Sequence, residues 1–325
     1  MNELISIIIP VYNGENYINR MYNCLVNQTY TNIEIIFVND GSTDNSKEIL
    51  ENCAEKDKRI KFINKIKNTG VSETKNIAID NVSGKYILFV DIDDVVSHNI
   101  VEILYKNIKK YNADISSCDL EKVYDNNLVF GKINNEVSIF NKKESILAAL
   151  KGKKLNMFTT AKLYKTELFD NIRFPENMKM IEDAYISCEL LLKSNMVVYT
   201  SDKLYKYIFR DGSLMNSSFS IENELNIIEV QKRNAQLILE VYPELNVEVQ
   251  QRILWGYFRF FDRLLLSEKI DENMINKYKK EIYDRKKYVF LGDFFNIKRK
   301  ISTIILFINL NLYKKLINRK GKKLF

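Results

Sequence analysis

Residues 86–97 read Tyr86-Ile-Leu-Phe-Val-Asp-Ile-Asp-Asp-Val-Val-Ser97. A run of strand-forming residues, Tyr86 to Val90, ends abruptly in Asp91, Asp93 and Asp94. Buried strands seldom end in a cluster of like charges, because each charge raises the cost of its neighbours. The segments before this one give it a setting. Leu4 to Pro10 ("LISIIIP") reads as a buried strand, and Ile18, Met21, Tyr22, Leu25 and Val26 follow it at helical spacing. Glu34 to Asn39 is a second strand. "DGSTDNS" is a turn rich in N-cap residues, and Ile49, Leu50, Cys53 and Ala54 line the next helix. Arg59 to Asn64 is a third strand, Ser72 to Asp80 a helix, and Lys85 to Val90 the fourth strand. Strands alternating with helices predict an α/β fold with a mostly parallel sheet covered on both faces. Ligands bind such sheets at the carboxyl ends of the strands, where the strand order reverses. The four ends here are "PVYN", "VNDGSTD", "NKIKNTG" and "DIDD".

After Cys118 the alternation weakens. Residues 120–140 suggest short strands, "IEDAYISCELLLKS" a helix beginning near Glu182, and "KLYKYIFRDGSLMNS" a strand followed by a loop. From about Ser220 the chain is almost wholly helical. The expected division is an α/β domain over 1–215 and a helical region with a basic amphipathic tail over 216–325. A chain of 325 residues, with 3 Pro and 10 Gly, fits one large or two moderate domains without long flexible linkers. No secretory leader pattern and no spanning apolar stretch is evident, so the expected location is cytoplasmic. Cys24, Cys53, Cys118 and Cys188 form no C-x-x-C pair and read as reduced thiols. The single histidine, His98, rules out a multi-histidine zinc site and an HExxH helix. It is expected near the surface at a helix start, with a metal-ligand role beside the acidic cluster as the alternative.

Carboxylates at D-x-D spacing suit a hard divalent cation, which takes oxygen ligands. Mg²⁺ needs only one or two protein carboxylates when a substrate diphosphate supplies the rest. The plainer reading is helix capping, a role that suits Asp94. The segments "SIIIPVYNGENYI", "VNDGSTDNS", "KNTGVSETKNIAI" and "YILFVDIDD", in this order and at these spacings, closely resemble the family 2 glycosyltransferases of the GT-A fold. The resemblance is specific over about residues 4–96 and looser to about 215. It implies a Rossmann-like, mostly parallel sheet and inverting transfer of a sugar from a nucleotide-sugar donor, a UDP-sugar above all. It also implies roles for single residues. Pro10, Val11 and Tyr12 would border the uridine, Asp40 would meet the uracil ring, and Asn68 and Gly70 would shape the nucleoside pocket. Asp91 would face the ribose or diphosphate and share a divalent cation (Mn²⁺ or Mg²⁺) with Asp93. Lys75, a further donor-binding residue by this resemblance, stands where such enzymes usually have arginine beside the uracil; lysine keeps the charge but lacks the planar fork.

Inverting transfer needs a base for the acceptor hydroxyl. By the same resemblance, the aspartate of an E-D pair opening a helix is that base, which here is Asp183 in "MIEDAYISC". A carboxylate at a helix N-terminus is kept ionised by the dipole and the free amides. In "RDGS", Arg210 and Ser213 would contact the diphosphate. The setting implied is a bacterial cell-surface polysaccharide pathway with a glycan or lipid-linked acceptor. Two alternatives stay open: a non-catalytic nucleotide-sugar-binding or glycan-binding member of the same fold, and a sugar nucleotidyltransferase. The second would be expected to carry a Gly-rich basic loop early in the chain, which "PVYNGENYI" lacks. A dinucleotide-dependent dehydrogenase is excluded, since no G-x-G-x-x-G follows the first strand.

The whole chain carries +7, and residues 294–325 hold nine Lys or Arg and no Asp or Glu, which leaves the remainder near −2. The basic character is thus local, and no nucleic-acid partner is expected. As a single helix, "ISTIILFINLNLYKKLI" would align Ile301, Ile304, Ile305, Ile308, Leu312 and Leu316. The flanking charges would be Lys298, Arg299, Lys300, Lys314, Lys315, Arg319, Lys320, Lys322 and Lys323. The segment is expected to lie on an anionic membrane surface without spanning it. Packing on the catalytic domain, or on a second subunit of a homo-oligomer, is the competing reading.

Overall fold

The structure, a computed structural model, describes residues 2–124, 128–134, 136–176, 178, 180–209, 219–267 and 271–320. The chain divides into two compact units, Met1–Asn216 and Ser217–Phe325. In the first, β1 (Ile5–Val11), α1 (Glu15–Val26), β2 (Ile33–Asn39), α2 (Ser46–Lys56), β3 (Ile60–Asn64), α3 (Val71–Asp80) and β4 (Tyr86–Phe89) follow the expected alternation to within a residue or two. There follow β5 (Val95–Val96), α4 (Ile100–Tyr111), β6 (Ile115–Val123), β7 (Val137–Asn141), α5 (Lys142–Lys151), β8 (Lys162–Lys165), α6 (Glu182–Lys193) and β9 (Met196–Ile208).

All nine strands join one sheet, in the order β3-β2-β1-β4-β8-β6-β9-β5, with β7 also on β9. The β3-β2-β1-β4 half is parallel. β8 then joins β4 and β6 in antiparallel sense. β1 lies between β2 and β4, so the order reverses beside it, and it is at such a reversal that the carboxyl ends of a parallel sheet form a ligand crevice. The apolar runs of β1 and β2 exist because these strands are central and covered on both faces: Ile5, Ile7, Ile8 and Ile9, and Ile35, Ile36, Phe37 and Val38, are fully buried. Ile18, Met21 and Leu25 of α1 and Leu50 and Cys53 of α2 pack into the same core.

Two expectations need correction. Asp94 does not cap the helix after it. That helix, α4, begins at Ile100, after β5, and its N-cap is Asn99. Asp94 is instead buried and takes hydrogen bonds from the Tyr205 hydroxyl (2.7 Å) and the Ile208 amide (3.0 Å) of β9. His98 is exposed at this point, as expected, and its carbonyl accepts the Thr29 amide.

The second unit contains α7 (Ile221–Val241), α8 (Asn246–Leu266), α9 (Glu272–Asp284), α10 (Lys287–Phe290), α11 (Ile297–Ile308) and α12 (Leu310–Lys320). Phe258, Phe260 and Phe261 of α8 are buried at its centre. Glu224 of α7, also buried, is held by Arg259 (3.0 Å) and Arg263 (2.6 Å) of α8. The second correction concerns the basic segment, which is two helices and not one. Asn309 is extended (φ −151°, ψ 106°) and ends α11. The buried side of α11 carries Ser302, Thr303 and Leu306, while Ile305 and Leu316 are only half-buried. Arg299 is not a free flanking charge either, since it donates to Asp262 (2.8 Å) and Tyr313 (2.9 Å). Among the described residues no helix is long and apolar enough to cross a membrane.

Candidate active site

The four polar strand ends meet at the crevice, and backbone contacts tie them together. The Asp40 amide donates to Val11 O (2.7 Å), Lys65 N to Asn39 O (2.9 Å), and Val90 N to Ile8 O (3.0 Å). Asn39 and Asn64, at the ends of β2 and β3, join through their side chains at 2.7 Å. Val11 puts its side chain in the core and offers the crevice only backbone, whereas Tyr12 is 49 % exposed.

Asp40 organises the segment after β3. Its buried carboxylate accepts from Lys65 Nζ (2.6 Å), the Thr69 amide (3.0 Å) and the Gly70 amide (2.9 Å). These bonds fold residues 65–70 back over the end of β2. Asn68 is left exposed, and Gly70 takes φ 99° as the N-cap of α3. Gly41, which the sequence reading passed over, makes the fold-back possible. It sits at φ +63°, and a Cβ there would lie 2.5 Å from the Lys67 carbonyl carbon and 2.6 Å from the Asn68 nitrogen.

The acidic tip of β4 is a tight turn in which the Asp94 amide donates to Asp91 O at 3.1 Å. Arg20 of α1 grips the Asp93 carbonyl at 2.6 Å. Tyr205 of β9 accepts the Asp91 amide (3.1 Å) while donating to Asp94. The three aspartates therefore divide: Asp94 is locked into β9, and Asp91 and Asp93 stay half-buried. Burial first, with Asp183, Asp93 and Glu182 adding to it and Lys75 opposing, pushes Asp91 up to about 7.

Opposite this tip stands the N-terminus of α6. Lys75 of α3, 2 % exposed, donates to Asp183 Oδ1 at 2.8 Å and Glu182 Oε1 at 3.1 Å, with its ammonium 4.9 Å from the Phe174 ring centre. The lysine expected at the nucleoside is thus engaged by the E-D pair. Burial alone would lower its pKa, but Asp183, Glu182 and Asp91 reverse that and raise it. Thr159 holds Asp183 from the other side, its hydroxyl on Oδ1 (2.7 Å) and its amide on Oδ2 (3.1 Å). Burial would raise Asp183, yet the Lys75 charge and the bonds from Lys75 and Thr159 outweigh it and hold the carboxyl below its usual range. Glu182 goes the other way: burial raises it despite Lys75. Buried Lys162 donates to Asn156 Oδ1 and Phe158 O, both at 2.7 Å, and so fixes the turn that presents Thr159. Desolvation pushes Lys162 down to about 8.

Pro10, Tyr12, Asp40, Asn68, Gly70, Lys75, Asp91, Asp93 and Asp183 thus all belong to the strand-end crevice or its walls, while Arg210 and Ser213 lie outside the described residues. Arg20, Gly41, Thr159, Lys162 and Tyr205 were not singled out from sequence. Arg20, Gly41, Thr159 and Tyr205 act through partners distant along the chain, Lys162 fixes the local turn before it, and only Gly41, in the turn "NDGST", left a local signal.

The family model described as "Glycosyl transferase family 2" matches residues 6–173, more than half of the chain. The chain belongs to glycosyltransferase family 2. It is 38 % identical over 225 residues to the glycosyltransferase GlyA of Streptococcus pneumoniae, covering 66 % of this chain and 32 % of GlyA, so it spans about a third of that relative. With the glycosyltransferase GlyG of the same organism it shares 33 % identity over 241 residues, 71 % of this chain and 79 % of GlyG. The crystal structure of Staphylococcus aureus TarS residues 1–349 in complex with UDP-GlcNAc superposes with a TM-score of 0.70 at 22 % identity, covering 98 % of this chain and 91 % of that one. The fold is therefore GT-A with a helical C-terminal region.

Proposed function

We propose that the chain catalyses inverting transfer of a sugar from a UDP-sugar to a hydroxyl of a glycan or lipid-linked acceptor, with Asp183 as the base. The carrying observation is that Asp183 is pinned by Lys75 and Thr159, close enough to Asp91 for the two charges to act on each other. Its Oδ1 takes two bonds, while Oδ2 takes one and keeps a lone pair for the acceptor's proton. The acceptor oxygen attacks the anomeric carbon from the Asp183 side, the bond from that carbon to the diphosphate oxygen breaks, and the proton passes to Oδ2. The Lys75 charge keeps Asp183 ionised at neutral pH, so it is ready to accept. The UDP-GlcNAc bound by TarS supports a uridine donor. Pro10, Val11 and Tyr12 would border that uridine, and Asp40, Asn68 and Gly70 would form its pocket. Arg210 and Ser213 are proposed to reach the diphosphate.

Asp91 and Asp93 fit a divalent cation. Among the described residues none donates a hydrogen bond to the Asp91 carboxylate, which burial pushes up, a state that a hard cation relieves. Among the described residues no group of three or more acidic, His or Cys side chains forms a closed cage, so a donor diphosphate would have to complete the ligand set. When bound, Mn²⁺ or Mg²⁺ would neutralise charge on the leaving diphosphate. The proposed setting is a bacterial cell-surface polysaccharide pathway, at the cytoplasmic face of the inner membrane.

Glu182 is the second reading for the base, because burial raises it where Asp183 is lowered. The test is transfer over a panel of UDP- and GDP-sugars, with wild type, Asp183→Asn and Glu182→Gln compared. Asp183→Asn is expected to lose at least about a hundredfold in kcat, with donor affinity within a few-fold, because a base acts in the transition state. Glu182→Gln is expected to retain far more. The reverse ranking would move the base to Glu182, and hydrolysis of no nucleotide sugar would sink the reading.

A further inference from the structure

α11 is amphipathic, with its apolar line turned outward. At about 100° per residue, the buried Ser302, Thr303 and Leu306 centre on one side of the helix. Ile297, Ile301, Ile304 and Ile308 fall on the opposite side, within about 60° of one another. They are exposed by 67, 50, 49 and 78 %. Leu312 of α12 and Phe290 and Leu291 just before α11 are exposed as well, by 51, 45 and 42 %. The helix thus buries a hydroxyl-bearing side and leaves its most apolar line without cover in its own unit. Ser302 and Thr303 satisfy their hydroxyls within the helix, both donating to Arg299 O. That makes the inward side tolerable and leaves the outward isoleucines as the feature to explain.

From residue 294 onward the charges beside this line are of one sign, with Asp293 the one acid just before it. Lys298 and Lys300 lie on its two sides, with Lys314 and Lys315 beyond it on α12. Lys298 and Lys315 are exposed, and Lys300 spans to Gly292 O at 2.9 Å. Residues 294–325 contain no acidic side chain. A second copy is a poor cover for such a line, because pairing it across a two-fold axis would bring lysine against lysine with no carboxylate from the segment between them.

From this we infer that the Ile297–Leu312 line is a membrane-contact face: it inserts in plane into the interface of an anionic bilayer, and the flanking lysines meet the lipid phosphates. Charge complementarity selects the surface, and apolar insertion supplies the hold, as for amphipathic helices that lie on membranes without crossing them. The inference rests on the exposure pattern of α11 and not on the chemistry assigned to Asp183. It stands or falls independently of that reading.

The experiment is co-sedimentation of the full chain with vesicles of phosphatidylcholine alone and of phosphatidylcholine with phosphatidylglycerol, at low and high salt. Size-exclusion measurement without lipid accompanies it. The variants are Ile304→Ser/Ile308→Ser and Lys298→Glu/Lys315→Glu, each checked for unchanged thermal unfolding. Wild type is expected to bind the anionic vesicles, to lose binding at high salt, and to ignore neutral ones. The isoleucine pair should weaken partitioning about tenfold or more, since each removes an aliphatic side chain from the apolar layer. The lysine pair should do the same on anionic vesicles only. Wild type that binds neither vesicle, or binds both equally, overturns the inference. So do variants that bind like wild type, or an oligomer without lipid that the isoleucine pair breaks apart.

Discussion

At the scale of single residues, Lys75 is the hinge of the site. One buried ammonium faces Glu182 and Asp183 directly and Asp91 through space. Removing it strands two carboxylates in a desolvated pocket, and breaking a buried pair in that way costs about 3–5 kcal/mol. Lys75→Met should therefore lower stability to chemical denaturation by about that much and abolish transfer. Lys75→Arg, which keeps the charge but must fit a larger fork, should recover part of both. Equal stability of Lys75→Met and wild type would mean the carboxylates are not ionised together. Asp91 yields a pH prediction. Its folded pKa, about 7, lies above the ordinary carboxylate value, so the native state holds a proton there that the unfolded chain releases. That contribution is fully present at low pH and is lost as pH rises through 7. With chelator present, Asp91→Asn should raise Tm by about 2–4 °C at pH 8 and leave it unchanged near pH 4. A shift independent of pH would refute the assignment.

At the scale of elements, the close approach at Gly41 decides whether the 65–70 segment can lie over β2. Gly41→Ala puts a methyl 2.5 Å from backbone at φ +63°. It should cost about 1–3 kcal/mol and weaken UDP binding, which calorimetry with UDP would measure. Unchanged UDP affinity would detach this segment from the nucleoside. The parallel half of the sheet was legible because each strand is a short apolar run closed by turn residues, and α6 because an acidic pair opens it. Both are local signals. Asp94 was misread because a cap is a local inference, whereas its partner Tyr205 lies 111 residues away. Arg20 with Asp93, and Lys75 with Asp183, are likewise 73 and 108 residues apart. The sequence therefore displayed the acids of the site, but the groups that aim and charge them depend on strand order, which periodicity does not encode. In α11 the outward line of Ile301, Ile304 and Ile308 was legible from its spacing, whereas the break at Asn309 was not.

At the scale of the whole molecule, the outward isoleucine line has a colloidal consequence. A net charge of +7 helps to keep chains apart in solution. Here the lysines beside α11 are what hold one sticky line off another, and salt screens them over about 10 Å at 0.1 M. The isoleucines are indifferent to screening. With no bilayer present, added salt should therefore make the chain less soluble, so the second virial coefficient from static light scattering should fall from 0.02 to about 0.3 M NaCl, as an order-of-magnitude range for full screening. In Ile304→Ser/Ile308→Ser the fall should be shallower. A coefficient that rises with salt in both proteins would mean that the line is covered in solution. Otherwise it is the lipid, more than the buffer, that keeps this chain dispersed.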